Sequence, residues 1–283
     1  LAVDDEEMNL VVAKGVLGSY GIDVETCLSG REAIERCRGE SYDIIFLDHM
    51  MPGLDGVGTL KRIREIDNGI YQDLPAIALT ANTVSGAREM FRSEGFTEFV
   101  PKPIERTVLE RVLRKVLPKS CIRYDERSTA TATAAALEPA PAAPEVPEPE
   151  IPAAEPEPAA PETASPADGF QHLARLGVNV ELGLGYCAGD GNFYREMLRM
   201  FAAQAQEKHD EIASLYESAD WEDYTVKVHA LKSTSLTIGA EALSAQAKEL
   251  ELAGKRGDID LIHARHAALM RAYEELCAQI AGQ

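Results

Sequence analysis

Short apolar runs alternate with helical patterns over the first 118 residues of the chain. The runs read "LAV", "IDVETC", "YDIIFLD", "LPAIALTA" and "FTEFV", and a last helix is predicted from Ile104 to Leu117. Five strands that are each followed by a helix predict a parallel sheet covered on both faces. Continuous runs such as "DIIFL" are typical of strands buried on both sides. Residues 1–118 are therefore predicted to form a five-stranded, doubly wound α/β domain.

The pattern changes twice after residue 118. Residues 119–167 are mostly Ala, Pro, Glu and Thr, which cannot bury enough apolar surface to offset chain entropy. They predict a disordered linker, of which roughly 40 residues would reach on the order of 120 Å if fully extended. Residues 168–283 show no strand pattern, and helices are predicted over 191–218, 220–238, 240–256 and 258–281. Such helices with short connections predict an all-α four-helix bundle.

Charge and composition narrow the classes of partner. The 283 residues carry a formal net charge of -19, to which all three segments contribute. An acidic surface repels phosphate backbones, so no direct contact with nucleic acid is expected. No apolar run approaches the roughly 20 residues that span a bilayer, so no membrane contact is expected in this segment. Five scattered cysteines without a C-x-x-C pair favour a reducing cytoplasm.

The start of the chain, "LAVDDEEMNL", has no initiator Met and only a short apolar run before its charged cluster. This start predicts a truncated first strand and a fragment of a longer protein. A membrane anchor of that parent protein would lie in parts not present.

Polar residues follow the predicted strands at one edge of the first domain. Asp4 and Asp5 follow the first strand, Asp48 ends the third, Thr80 ends the fourth and Lys102 follows the fifth. Carboxyl ends of parallel strands share one edge, so these side chains are expected to converge. Three carboxylates repel one another, and a hard divalent cation such as Mg²⁺ would relieve this repulsion. With a lysine and a hydroxyl beside them, the set predicts a carboxylate that accepts a phosphoryl group.

Residues 1 to about 118 resemble the response-regulator receiver domain, a flavodoxin-like fold, through "VDDEEMN", "LDHMMPGLDG", "ALTA" and "PKP". The resemblance implies that Asp48 is the phosphorylated nucleophile. It also implies that Asp5 binds Mg²⁺ directly, that Asp4 acts largely through water, and that the backbone carbonyl of Met50 is a further ligand. Lys102 would contact the phosphoryl group and Asp48.

The resemblance extends to two residues that would respond to phosphorylation. Thr80 would hydrogen-bond the phosphoryl oxygen after transfer. Phe99 matches the family's aromatic switch position, and simple core packing is its alternative role. His49 adjoins Asp48, but neighbours in an extended segment point to opposite sides, so a solvent-facing or indirect role is predicted for it.

The stretch "HALKSTSLTIGA" carries the candidate chemistry of the second domain. On a wheel of 100° per residue, His229 lies roughly 140° from Tyr224, which begins the apolar stripe. This position predicts an exposed imidazole on the outer flank, and not a core residue. A zinc site would need a second ligand one turn away, where Lys232 and Ser233 stand instead. What remains is a nucleophile able to carry a phosphoryl group, with Lys232 offsetting phosphate charge and Ser233 keeping the surface shallow.

Residues 170 to 281 resemble a histidine phosphotransfer (HPt) domain through "HALKSTSLTIGAEALSAQAKELE" and "FYREMLRMF". The resemblance implies phosphorylation of a His229 nitrogen, usually Nε2, without ATP binding. The other histidines of this domain are taken as structural or solvated, although His263 and His266 have the spacing of a metal pair.

The order receiver, linker, HPt is that of hybrid sensor histidine kinases. It implies a phosphorelay from an upstream kinase core to Asp48, to His229 and on to a downstream response regulator. No kinase core or ATP-binding domain is visible in this chain, so phosphotransfer is the activity expected of it. A stand-alone phosphotransfer adaptor and a non-phosphorylated docking module are the alternatives.

Overall fold

The structure is a computed structural model and describes residues 1–81, 87–123 and 169–282. The predicted linker, residues 119–167, lies outside the described residues from position 124 onward. The larger compact unit of the chain combines Leu1–Val116 with Pro166–Gln283. Within the described ranges, every helix is too short or too polar to cross a membrane.

The first domain is built on a five-stranded parallel sheet in the order β2-β1-β3-β4-β5. The strands are β1 (Ala2–Val3), β2 (Thr26–Cys27), β3 (Ile45–Asp48), β4 (Ala76–Thr80) and β5 (Glu98–Pro101). In β3 and β4 every residue is buried, as the continuous apolar runs predict. Register pairs Asp48 with Leu79 and Thr80 with Pro101, so the polar ends of β3, β4 and β5 lie level at one edge. The predicted α/β fold is confirmed.

Helices cover the sheet, and two of them begin at polar side-chain caps. They are α1 (Glu7–Gly18), α2 (Gly30–Gly39), α3 (Gly56–Arg64), α4 (Ala87–Ser93) and α5 (Arg106–Val116), with 3₁₀ turns at Ile66–Gly69 and Lys119–Cys121. Ser29 accepts a hydrogen bond from the Glu32 amide to start α2, and Asp55 accepts one from Gly58 to start α3. Such caps satisfy amides that have no partner within the helix. The cap at Asp55 fixes the turn between Asp48 and α3.

The described residues of the second domain form helices joined by short turns and contain no strand. Its helices are α6 (Gln171–Arg175), α7 (Val180–Tyr186), α8 (Gly191–Ala203), α9 (Ala205–Glu217), α10 (Trp221–Thr237), α11 (Glu241–Arg256) and α12 (Ile259–Ala281). The single helix predicted over 191–218 is instead interrupted at Gln204, where ψ is 0°. The sequence predicted neither α6 nor α7, although Asn179 caps α7 by accepting a hydrogen bond from Leu182. The all-α prediction is confirmed.

Close packing of α10 against α11 fixes the position of His229. Gly254 of α11 lies so near α10 that an added Cβ would stand 1.9 Å from Oγ1 of Thr225. The turn between the helices contains Gly239 at φ +82°, where a Cβ would also meet the Asn179 carbonyl oxygen at 2.1 Å. Glycine is therefore required at both positions, for close approach at one and for a left-handed backbone at the other.

Candidate functional site

The structure brings the predicted polar residues of the first domain together. Lys102 Nζ lies 2.6 Å from Asp4 Oδ2 and 2.7 Å from Asp48 Oδ2, and all three side chains are buried. Asp48 is the last residue of β3, and the Lys102 amide donates to the carbonyl oxygen of Thr80 at the end of β4. Sheet topology therefore assembles the cluster, because each of these residues stands at the carboxyl end of a parallel strand.

Three carboxylates in this cluster are placed for a shared cation. Asp4, Asp5 and Asp48 each offer one oxygen, and these oxygens lie within 4.8 Å of one another. Among the described residues, no hydrogen bond reaches Oδ2 of Asp5. Burial, together with the neighbouring Asp4, raises the pKa of Asp5 to about 7. A largely buried set of oxygen ligands, in which Asp5 is half-buried and Asp4 and Asp48 are buried, fits a divalent cation such as Mg²⁺.

Lys102 neutralises only part of this negative charge. Burial raises the pKa of Asp48 to about 8 against the opposing effect of the Lys102 ammonium, while Asp4 and Asp5 add to the increase. Burial alone would lower the pKa of Lys102, yet the carboxylates of Asp4 and Asp48 raise it above its ordinary value. The lysine is therefore a permanent cation, and the raised pKa values of Asp5 and Asp48 show that it does not fully offset the burial and mutual repulsion of the carboxylates.

The remaining residues predicted for this site lie around the cluster. The Met50 amide donates to Oδ1 of Asp48 at 3.2 Å, and Thr80 is buried. Phe99 is half-buried and stacks on Phe91 with ring centroids 5.8 Å apart. His49 packs edge-on against the same Phe91 ring at 5.1 Å and does not belong to the carboxylate cluster. Phe91 therefore links the segment after Asp48 to the predicted switch residue.

His229 is buried in the structure, with 3% of its surface exposed. The prediction of an exposed imidazole is therefore wrong for this structure. A helical wheel shows only which face of α10 packs into its own bundle. In the structure α10 is covered on two sides, by its own bundle and by the first domain. Lys227, two residues before His229, lies with Nζ 3.8 Å from Oδ2 of Asp5. Lys232 and Ser233 are buried on the same helix.

Glu251 of α11 holds the His229 ring in a defined orientation. Its Oε1 lies 2.8 Å from His229 Nδ1, and its Oε2 accepts from Lys232 at 2.5 Å. Lys255 donates to Oε1 at 2.5 Å. Burial opposes ionisation of Glu251, yet hydrogen bonds from these three residues hold the pKa of its carboxyl well below its usual range. Sequence reasoning missed Glu251, which stands 22 residues after His229 on the next helix.

The other imidazole nitrogen, Nε2 of His229, is buried and has no hydrogen-bond partner among the described residues. Burial lowers the pKa of His229 to about 4. The ammonium groups of Lys232, on the same helix, and of Lys102, in the carboxylate cluster of the first domain, act in the same direction. The ring is therefore neutral near pH 7. With Nδ1 bound to an anionic carboxylate, Nδ1 carries the proton and Nε2 keeps its lone pair.

The candidate metal pair of the second domain is engaged in hydrogen bonds. His263 Nδ1 lies 2.7 Å from the Tyr216 hydroxyl, and His266 Nδ1 lies 3.1 Å from the Tyr224 hydroxyl. Tyr216 also stacks on the His266 ring at 3.9 Å. These contacts agree with structural roles for both histidines.

Comparisons with known proteins identify both domains. Residues 1–114 match the response regulator receiver domain, and the chain belongs to this family. Residues 196–281 match the Hpt domain. A receiver followed by an Hpt domain is the domain pair of a two-component phosphorelay, in which such domains exchange phosphoryl groups with kinases and response regulators. Receiver domains bind Mg²⁺ at an acidic site.

Several relatives match the receiver part. The signal transduction histidine-protein kinase BarA of Escherichia coli K12 is 34% identical over 122 residues, which are 43% of this chain and 13% of BarA. Two-component response regulator 24 of Arabidopsis thaliana is 32% identical over 41% of this chain and 81% of its own length. Among solved structures, the receiver domain of sensor histidine kinase PA1611 of Pseudomonas aeruginosa is 34% identical to this chain, with a TM-score of 0.36. The match covers 40% of this chain and 92% of the PA1611 receiver, which was solved with magnesium in its active site cleft. The matched part of this chain thus spans about an eighth of the length of BarA.

Proposed function

We propose that Asp48 accepts a phosphoryl group from a kinase histidine and passes it to His229, which donates it to a downstream response regulator. The observation that carries this proposal is the buried, unpartnered Nε2 of His229, held in one tautomer by Glu251 within the same compact unit as the carboxylate cluster. A buried polar atom without a partner is costly, and such atoms are concentrated where a reacting group will be bound.

The transfer step follows from the protonation states of these groups. The Nε2 lone pair attacks phosphorus, a nitrogen–phosphorus bond forms, and the bond between phosphorus and the Asp48 oxygen breaks. Asp48 leaves as a carboxylate with the electron pair, and Lys102, 2.7 Å from Asp48 Oδ2, stabilises its charge. The Nδ1 proton stays between the ring and Glu251, whose anionic carboxylate stabilises the positive charge that develops on the imidazole.

A bound Mg²⁺ would be held by Asp4, Asp5 and Asp48, with the backbone carbonyl of Met50 as a further ligand. When bound, it neutralises phosphoryl oxygens and so favours in-line transfer. Oδ2 of Asp5 accepts no hydrogen bond among the described residues, and this atom and the close spacing of the carboxylates support the assignment. Thr80 would contact the phosphoryl group, and Phe99 would respond to its movement. Ser233 leaves room above the helix for the approaching group.

The proposal extends to the context of the chain. We infer that residues 1–118 and 168–283 are separate domains of a hybrid histidine kinase, joined by the linker of residues 119–167. The upstream partner would be the kinase core and the downstream partner a separate receiver. A cytoplasmic location forms part of the proposal, since all five cysteines are free thiols, which suit a reducing compartment.

Radiolabelled phosphoryl transfer tests these roles. The full chain is incubated with a phosphorylated kinase donor and Mg²⁺, and the label is classified by its stability in acid and base. Unaltered chain should carry an acyl phosphate and an acid-labile phosphohistidine and should pass label to a response regulator. Asp48→Asn should carry neither product, and His229→Gln should stop at the acyl phosphate. If both variants passed label as well as the unaltered chain, the proposal would be wrong.

A further inference from the structure

One face of receiver helix α1 lies against helix α8 of the Hpt domain. Gly15 of α1 has no side chain at this contact, and a Cβ added to it would stand 3.0 Å from Cζ of Phe193 in α8. The Phe193 ring therefore approaches the backbone of α1 closely at Gly15, although Gly15 is otherwise exposed and Phe193 is half-buried. A side chain at position 15 would occupy the space of this ring. Neither residue belongs to the groups that move the phosphoryl group.

Two ion pairs join the same faces of the domains. Lys208 of α9 donates to Glu6, which immediately precedes α1 and is buried. Lys227 of α10 lies 3.8 Å from Asp5 Oδ2 and 2.9 Å from Glu211 Oε1 of its own domain. In both pairs the receiver supplies the anion and the Hpt domain supplies the cation.

This local complementarity opposes the overall charge of the domains. Residues 1–118 and 168–283 each contain more acidic than basic side chains, so at long range they repel each other. Repulsion of this kind disfavours non-specific association, and a few well-placed opposite charges then decide which surfaces dock. The Glu6–Lys208 pair is largely shielded from solvent, so salt screens it less than an exposed pair.

The docked faces also bring the two acceptors toward each other. Lys227 of the Hpt domain, two residues before His229, lies 3.8 Å from Oδ2 of Asp5, which belongs to the same carboxylate cluster as Asp48. The linker of residues 119–167, a tether of roughly 50 residues, gives an effective concentration on the order of millimolar. Docking within one chain therefore needs only modest affinity.

We propose that the Hpt domain docks on the receiver of its own chain through the α1–α8 face, and that the Gly15–Phe193 contact and the Glu6–Lys208 pair determine this choice of partner. The inference rests on the proposed relay for its purpose, but docking is measurable without any phosphoryl group.

Zero-length carbodiimide cross-linking of the unphosphorylated full chain tests the contact directly. An equal mixture of isotopically labelled and unlabelled chains is treated at low concentration, and the products are identified by mass spectrometry. The exposed Lys61–Glu94 pair, 3.0 Å apart within the receiver, controls for reactivity. We expect a Glu6–Lys208 amide whose two peptides always share one label. Absence of this amide while Lys61–Glu94 reacts would overturn the docking, and mixed-label products would overturn docking within one chain.

Charge reversal tests the ion pair as a determinant. Glu6→Lys and Lys208→Glu should each reduce the docked fraction by about tenfold, the range of a shielded ion pair. The docked fraction is measured by small-angle scattering of the full chain. The double exchange should recover most of it. Lys61→Glu, which makes the same change in charge away from the interface, should leave docking unchanged. A double exchange that docks no better than the weaker single variant would refute a direct pairing of these two residues.

The glycine contact is tested by opposite effects on stability and docking. Gly15→Leu should leave the thermal midpoint of the receiver unchanged or higher, because leucine favours helix more than glycine does, and yet should abolish docking. Gly18→Leu is the matched control, since nothing lies within 4 Å of a Cβ there. Equal docking of both variants would overturn the role of Gly15. Repeating the measurement in His229→Gln separates the two hypotheses, because docking should persist in a chain that cannot carry phosphohistidine.

Discussion

Glu251 offers the sharpest test of how the Hpt domain prepares its histidine. Its buried carboxylate accepts from His229 Nδ1 at 2.8 Å and from the lysines Lys232 and Lys255 at 2.5 Å each. Glu251→Ala removes all three contacts, whereas Glu251→Gln keeps an acceptor for the Nδ1 proton and removes the charge. The two variants therefore separate orientation of the ring from electrostatic stabilisation of it.

The expected magnitudes follow from burial and charge. Breaking a buried pair by deleting one partner costs about 3–5 kcal/mol, because Lys232 is left without its carboxylate. A hydrogen bond to a charged group contributes about 1.5–3 kcal/mol, so losing it from the transfer step slows transfer roughly 10- to 100-fold. Glu251→Ala should show both losses in full. Glu251→Gln should unfold more easily than the unaltered chain, yet transfer faster than Glu251→Ala.

Transfer from phosphorylated Asp48 to His229 is measured by rapid quench and separation of acid-labile label, and stability by urea unfolding of the same chains. Glu249→Ala is the matched control, because Glu249 is exposed on the same helix and pairs with Arg265 at 3.6 Å. Its unfolding free energy should change by less than about 0.5 kcal/mol. Transfer by Glu251→Ala at the rate of Glu249→Ala would refute the positioning role, and an unchanged unfolding free energy would refute the buried ion pair.

Three further predictions concern pH, packing and metal. The pKa of His229 falls from 6.5 to about 4 on burial, so below pH 6.5 the unfolded chain binds a proton that the folded chain does not. The free energy of unfolding is therefore lost as the pH drops from about 6.5 to about 4, and in urea unfolding the His229→Gln variant should lack up to about 3 kcal/mol of this loss. Gly254→Ala should destabilise by about 1–3 kcal/mol in thermal unfolding because its Cβ would meet Thr225, whereas Gly185→Ala, with open space around its Cβ, should not. Mg²⁺ at about 100 times its dissociation constant should stabilise the folded chain by about 2.7 kcal/mol in the same assay, and Asp5→Asn should lose most of this effect.

The receiver cluster could be predicted because topology determines it. Continuous apolar runs identified the parallel strands, and parallel strands place Asp48, Thr80 and Lys102 at one edge whatever the details of packing. The ion pairs of Lys102 with Asp4 and Asp48 are the direct expression of that rule. The pKa values of Asp5 and Asp48 could not be predicted in this way, because they depend on how completely the edge is buried.

The environment of His229 could be predicted only in part. A helical wheel correctly separates it from the apolar stripe of α10, but a wheel does not include a second domain that covers the outer flank. Glu251 escaped detection because its contact with His229 depends on the register between α10 and α11. That register is set by the close approach of Gly254 to Thr225, which no local pattern reveals.

The buried state of His229 also constrains how strongly the two domains can associate in the proposed relay. With Nε2 shielded from water, transfer from Asp48 competes well with hydrolysis of the acyl phosphate. The same face of α10 must then be released, because the downstream receiver needs the same nitrogen. A tight interface would protect the first transfer and block the second. Two ion pairs and one aromatic contact, set against repulsion between two acidic domains, suit an interface that forms readily inside one chain and dissociates quickly. Strengthening docking should therefore speed transfer from Asp48 to His229 and slow transfer from His229 to the separate regulator.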